Sequence, residues 1–375
     1  MSDRRMSSTL WWSMTGFVGI VTATLVACIP SALPLPQQAP VASTHPLATA
    51  YVGDAVCARC HAEQARLHQQ SGHARTLFQD GLCDQFAAAC GQDFPDPERP
   101  GTFRFECVSN ELTVKHTQAG KSQSLPIQFA IGSGTHATTF LTLIAGRNGE
   151  PTAIEHRLSL FGKDARAELT PSHSGAPQAE PIDCFGRVKH GRDVVRCIEC
   201  HSTTGQVRGL KVTDLRPNVS CEGCHGPGRP HLIAVELKQS DLAVKFAPSK
   251  ATADEEIHQC GQCHRLPEAK NTLPDPDDPK LARFQPVGLM QSLCFRRSQG
   301  ELRCSTCHNP HQTVIRESRG YNEKCQSCHS RNRGINVDCP VSPQGDCVAC
   351  HMPAIEVHPG VSFHDHWIRP RSPRP

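Results

Sequence analysis

The chain has 375 residues, a formal net charge of +3, 38% hydrophobic residues and 5% aromatic residues. That length allows a sizeable core or two modest domains, yet the apolar supply is below the usual level for a globular chain. The small charge and the lack of a basic run interleaved with aromatics argue against nucleic acid as a partner. With 21 cysteines and 21 histidines, something other than Phe, Trp and Leu is expected to fill the interior.

The chain opens with Arg4 and Arg5 and a mostly apolar run from Leu10 to Ala27, ending in the stretch LVAC. This looks like a bacterial lipoprotein signal: residues 1–27 are removed and Cys28 is lipidated. An uncleaved anchor helix and a plain cleaved signal are the other readings, and all three export the rest of the chain. Residues 28–50 form a Pro-rich tether, with five prolines and no charge after Cys28. The expected location is the cell envelope, as a periplasm-facing lipoprotein held to the membrane through its lipid.

The unit Cys-x-x-Cys-His then occurs seven times. In chain order the cysteines are Cys57 and Cys60, Cys197 and Cys200, Cys221 and Cys224, Cys260 and Cys263, Cys304 and Cys307, Cys325 and Cys328, and Cys347 and Cys350. The histidines are His61, His201, His225, His264, His308, His329 and His351. Two thiols three positions apart can add to the two vinyl groups of one haem, and the adjacent imidazole then meets the iron. Zinc ribbons pair their Cys-x-x-Cys units and need no histidine after each. A thioredoxin-like pair needs one motif in a βαβ context. The repeat therefore predicts seven covalently attached haem c groups, with those seven histidines as proximal ligands. Flat porphyrins would supply the missing core, and folding would be coupled to their binding.

Between the motifs the chain divides in three. Residues 51–80 carry the first motif and EQARLHQQSGHARTLFQ, whose periodicity suits a helix. Residues 81–196 contain TFRFECV, ELTVKH, LPIQFAI, TTFLTLIA and IEHRLSLF, joined by turns such as AGK and GRNGE; they read as a small β-rich insert. Residues 197–370 hold six motifs starting 24, 39, 44, 21 and 22 residues apart. That spacing leaves room for a helix or a loop between haems, and LPDPDDP reads as a surface loop. The expected fold is a mainly α and irregular multihaem cytochrome c with the β insert ahead of the main cluster. Six further cysteines, Cys83, Cys90, Cys107, Cys184, Cys294 and Cys339, make an even count. They read as disulfides, Cys90 with Cys107 or Cys83 clamping the insert, or as free buried thiols.

Each iron has a second axial position. Of five methionines, three leave with the signal and Met352 adjoins His351, so only Met290 is available and most haems are bis-histidine or open. Candidate distal ligands are His73 in QSGHA, His136 in GSGTHA, His173 in TPSH, His231 ending CHGPGRPH, His311 ending CHNPH, and His364 and His366 in FHDHW. Small or rigid neighbours there let backbone approach a flat ring. His68, His116, His156, His190, His258 and His358 lack that context. His311 lies too close to His308 to wrap round the same ring, so it is expected to cap a neighbouring haem.

The segments YVGDAVCARCH with QSGHA, GSGTHATTFL, CEGCHGPG, QSLCFRRSQGELRCSTCHNPH, and CVACHMP followed by HDHWIR resemble a family of exported bacterial multihaem cytochromes. The family is cytochrome c-554-like, and is related more distantly to hydroxylamine oxidoreductase and pentahaem nitrite reductase. The resemblance covers roughly residues 51–370. It implies distal roles for His73, His231 and His311. Two features of the enzymes are missing: no haem motif ends in lysine, and neither Tyr51 nor Tyr321 follows the last motif.

The expected function is electron transfer through closely packed, mainly bis-histidine haems, with no catalytic residue and with redox proteins as donor and acceptor. Haem propionates would make the loaded protein acidic, so a basic patch is expected on the partner. The alternative is an oxidoreductase of small nitrogen or sulfur compounds at one five-coordinate haem, at the first motif or near residues 260–264, with Arg265, Arg296 and Arg297 attracting an anion.

Overall fold

The computed structural model describes residues 50–133, 136–162, 165–267, 275–329, 339 and 345–370. The signal, the tether up to residue 49 and Cys28 lie outside the described residues. Among the described residues no helix is long and apolar enough to cross a membrane.

The chain starts with two short helices, α1 (Asp54–Cys57) and α2 (Ala62–Gln69). A strand β1 (Leu77–Phe78) and a helix α3 (Leu82–Gln85) lead into the insert. Its strands are β2 (Asp93–Pro95), β3 (Thr102–Val108), β4 (Glu111–Gln118), β5 (Lys121–Pro126), β6 (Phe129–Ile131), β7 (Ala137–Ile144), β8 (Thr152–Phe161), β9 (Arg166–Leu169) and β10 (Gly186–His190). They form two antiparallel sheets. One has the order β2-β3-β4-β5; the other runs β1-β6-β7-β8-β10, with β9 also on β8. Two-residue turns fix the register of the first: Ser109 and Asn110 both have positive φ, as do Ala119 and Gly120. That is the backbone twist that matches paired strands.

The period-2 patterns read from the sequence correspond to β3, β4, β7 and β8, while LPIQFAI divides between β5 and β6. Alternate residues of β3 and β4 point inward, and Phe103, Phe105, Leu112 and Val114 are buried with Phe86, Phe140 and Phe185. Phe140 lies edge-on to Phe86 at 5.1 Å and 5.4 Å from Phe105. Buried Arg157 donates to Asp96 Oδ1 at 2.8 Å and to the His173 carbonyl at 3.2 Å, so its charge is paired where water is excluded.

The remaining elements are α4 (Arg192–His201), the hairpin β11 (Ser202–Arg208) and β12 (Lys211–Pro217), α5 (Cys221–His225), α6 (Gly228–Glu236) and α7 (Ala253–His264). They are followed by α8 (Gln285–Gln291), α9 (Leu293–Arg297), α10 (Cys304–Cys307), α11 (Ser318–Cys328), α12 (Cys347–His351) and the hairpin β13 (Ala354–His358) and β14 (Val361–His364). The fold is therefore not mainly α: helices share the chain with four antiparallel sheets. Both hydrophobic clusters lie before residue 218. The second cluster joins the halves: Val194 and Ile198, one turn apart on α4, pack against Leu77, Phe129, Leu141, Leu143 and Ala153. A conventional core thus exists, but in the insert and not around the later motifs.

Candidate functional site

Six of the seven Cys-x-x-Cys-His units sit on helical backbone, and the first leaves α1 at Cys57 and continues as a turn. In α4, α5, α7 and α12 the histidine is the last helical residue. In the other three units its N–H still donates to the first cysteine carbonyl at 2.9 Å, at His61, His308 and His329. Positions i, i+3 and i+4 share one helix face, so both thiols and the imidazole project to the same side. That is what attaching one haem through two thioethers and one axial nitrogen requires.

Four motif histidines face a second histidine from elsewhere in the chain. His61 faces His231 at 6.3 Å between ring centroids, and His264 faces His73 at 6.3 Å. His225 faces His311 at 6.1 Å, and His308 faces His366 at 6.1 Å. An imidazole–metal bond of about 2.0–2.1 Å on each side puts two ring centroids about 6–6.5 Å apart. The pairs fit a shared metal, and each joins a motif to a histidine far away in sequence.

Hydrogen bonds hold five of these eight rings by Nδ1. His225 donates to the Phe246 carbonyl and His231 to the Leu242 carbonyl, both at 2.8 Å. His366 donates to the His364 carbonyl at 2.9 Å. His73 reaches the Pro310 carbonyl at 3.3 Å, and His264 reaches Gln285 Oε1 at 3.2 Å. The motif histidine His201 donates to the Thr76 carbonyl at 3.1 Å. Engaging Nδ1 leaves Nε2 for the metal and fixes the tautomer. Burial pushes His366 down to about 4 and lowers His201. Burial and the neighbouring His264 lower His73. In each case the shift favours the neutral imidazole, the form that binds a metal.

Three candidate distal ligands lie elsewhere. His173 is buried in the insert, with its Nε2 3.0 Å from Glu155 Oε2 and its buried Nδ1 without a hydrogen-bond partner among the described residues. His136 is exposed, with its ring 5.3 Å from Phe363. His364 anchors Nδ1 on the Met352 carbonyl at 2.6 Å, keeping Nε2 available. Among the described residues, His201, His329 and His351 have no facing histidine ring. His68 and His156 spend Nε2 on the Val219 carbonyl and on Thr142.

The motifs also touch one another. Thiols come within hydrogen-bonding reach between Cys57 and Cys221, Cys200 and Cys263, Cys260 and Cys304, and Cys325 and Cys347. Gln259 donates to the Cys224 carbonyl, and Cys307 lies close enough to Cys328 for their charges to interact. Two buried carboxylates brace these contacts. Glu222, inside the third motif, accepts from the N–H groups of Val52, Gly53 and Gly228. Glu256 on α7 accepts from the N–H and hydroxyl of Ser305, inside the fifth motif. The resulting neighbour order is 1–3–4–5–6–7, with the second motif branching at the fourth. No sequence signal singled out Glu222 or Glu256, because a carboxylate inside or just ahead of a motif is usually solvated.

Residues 164–226, which contain the second and third motifs, match the family model for cytochrome c554 and c-prime. The chain is 23% identical over 192 residues to the dissimilatory sulfite reductase MccA of Wolinella succinogenes, covering 41% of this chain and 25% of that protein. It is also 23% identical over 184 residues to the multiheme cytochrome MtrA of Shewanella baltica, covering 37% of this chain and 53% of that one. The chain thus spans a quarter and about half of the lengths of these relatives. The outer cell wall cytochrome OcwA superposes with a TM-score of 0.46 and 13% identity, over 85% of this chain and 80% of that one. In residues 164–226 and in its repeated attachment motifs, the chain is similar to multihaem c-type cytochromes.

Proposed function

We propose that the protein carries seven haems, mainly bis-histidine, and relays electrons along them without transforming a substrate. The observation that carries this reading is the set of four histidine pairs spaced for a shared iron. These histidine pairs would hold haem through two imidazoles, and the group would supply one-electron chemistry, at potentials lower than methionine ligation gives. The chain's own residues do the rest. Bonds at Nδ1 hold five of the eight paired rings, and Glu222 and Glu256 hold neighbouring motifs together. His136 and His364 are proposed distal ligands in the region of the last two motifs. Low-temperature EPR of the oxidised holoprotein tests this, together with intact mass. Seven haem masses and predominantly low-spin iron are expected; abundant high-spin iron or fewer than seven haems overturns it.

A second reading rests on His201. The first and fourth motifs, the expected places for an open haem, each have a facing histidine, whereas His201 has none among the described residues. Its surroundings are charged. Glu155 is 3.1 Å from Lys189 Nζ, both act on Cys197, and Arg283 is close enough to feel Glu155. The relative named as a sulfite reductase favours a small oxyanion there. A high-spin signal lost on adding sulfite or cyanide, with turnover, would support it; an entirely low-spin spectrum would end it. Export as a lipoprotein through Cys28 is also part of the proposal. A Cys28→Ala variant released from the membrane fraction is the expected result.

A further inference from the structure

Three cysteines outside the attachment motifs meet in the insert. Cys107 stands on β3 opposite Leu112 of β4, and it is exposed. Cys90 lies in the turn that bridges back to Phe105 of the same strand. Cys83 lies in α3 and is buried. The Cys90 and Cys107 sulfurs are 2.9 Å apart, and the Cys83 thiol hydrogen-bonds Cys107 as well. One exposed sulfur therefore has two alternative partners.

We propose that Cys90 and Cys107 are a modification site that a protein of the thiol–disulfide oxidase class closes to a disulfide, with Cys83 as an internal exchange partner for Cys107. Exposure makes Cys107 the thiol that the oxidant meets first. Its thiolate attacks one sulfur of the oxidant's disulfide, forming a mixed disulfide and releasing one oxidant thiol. Cys90 then attacks Cys107 Sγ, forming the Cys90–Cys107 bond and expelling the second oxidant thiol. The chain loses two electrons and two protons, and the oxidant gains both. Little movement is needed, since a disulfide closes at about 2.05 Å. Cys83 can attack the same Cys107 sulfur and expel Cys90, which exchanges partners with no net redox change. Burial pushes the Cys83 thiol up to about 11, so it stays protonated and the exchange is slow compared with closure by Cys90. The product pins the segment after α3 to β3, one of the two inner strands of the four-stranded sheet.

The test is a peptide map of the holoprotein, alkylated before and after denaturation and never reduced. A linked peptide joining Cys90 and Cys107 is expected, with Cys83 labelled only after denaturation. Cys83→Ala should keep that link, and Cys90→Ala should replace it with one between Cys83 and Cys107, both with an unchanged haem mass. Free Cys90 and Cys107 in oxidised wild-type protein, or Cys83 joined to Cys184, overturns the site. Absence of a Cys83–Cys107 link in Cys90→Ala overturns the exchange role.

Discussion

His225 and His311 face each other with ring centroids 6.1 Å apart and planes 10° from parallel. One belongs to the third motif, and the other lies three residues beyond the fifth. Under the proposed function, the segment from Cys304 to His311 would serve two centres, attaching one porphyrin through its thiols and capping another through its last histidine. His311→Ala should leave the full covalent haem mass unchanged while turning one low-spin ferric centre high-spin. EPR and intact mass together check this. Retention of every low-spin signal would show that His311 is not an axial ligand.

Glu222 predicts a stability effect. Its buried carboxylate accepts three backbone N–H groups, two of them just ahead of the first motif. Glu222→Ala removes the acceptor but not the donors, and unsatisfied buried groups cost about 1–3 kcal/mol each, with water recovering part. A loss of roughly 3 kcal/mol is expected in a denaturant titration of the holoprotein. Because Val52 and Gly53 lead into α1, the His61–His231 centre should be the first to lose its low-spin signal. An unfolding midpoint equal to that of the wild type would remove Glu222 as the brace.

Part of the fold and the local form of the candidate site were legible in the sequence, for physical reasons. The attachment units are local, so spacing alone identifies them. β3, β4, β7 and β8 alternate between sheet faces, so period 2 identifies them. Pairing was not legible: His61 with His231 and His225 with His311 depend on how distant segments pack. The contact of His173 Nε2 with Glu155 was not legible either, because nothing in the sequence ties residue 155 to residue 173. The mainly α expectation failed on averaging. Aromatics are 5% of the chain, but the phenylalanines concentrate in residues 77–190, where they build an ordinary core. The hairpin β11–β12 was missed because a 24-residue interval between motifs seemed to leave room only for a helix or a loop.

The insert should lose stability as the pH falls. Burial pushes His156 down to about 3, helped by the neighbouring His173, while an unfolded histidine titrates near 6.5. Below about 6.5 the unfolded chain binds a proton that the folded chain refuses, so stability is full above that pH. It should then fall by about 1.4 kcal/mol per pH unit between about 6.5 and 3. Asp96 adds a second limb at lower pH. Burial alone would raise its carboxyl, but the Arg157 hydrogen bond and charge outweigh that and lower it. Its contribution is full above the unfolded value of about 3.9 and is lost as pH falls through the folded one. Urea midpoints read from the strand signal should decline from about pH 6.5, and His156→Gln should flatten the upper limb. A wild-type midpoint constant between pH 7 and 4 would contradict this.

Haem removal should act unevenly along the chain. Both hydrophobic clusters draw on residues before 218, and burying that apolar surface stabilises the insert whether or not porphyrin is present. Beyond residue 217 the buried apolar side chains are scattered, among them Ile257, Leu281, Leu289 and Val348. Short helices of this kind are not stable on their own in water. Ile198 marks the boundary: it carries the second motif but packs into the sheet, and Ile198→Ala should cost about 2–4 kcal/mol. In protein expressed without the haem-attachment machinery, hydrogen exchange should find slow amides in β3, β4, β7, β8 and the first turns of α4. The segments from α5 to α12 should exchange at near-random-coil rates. Uniform protection across the haem-free chain, or uniform loss of it, would show that the insert and the motif region fold as one unit.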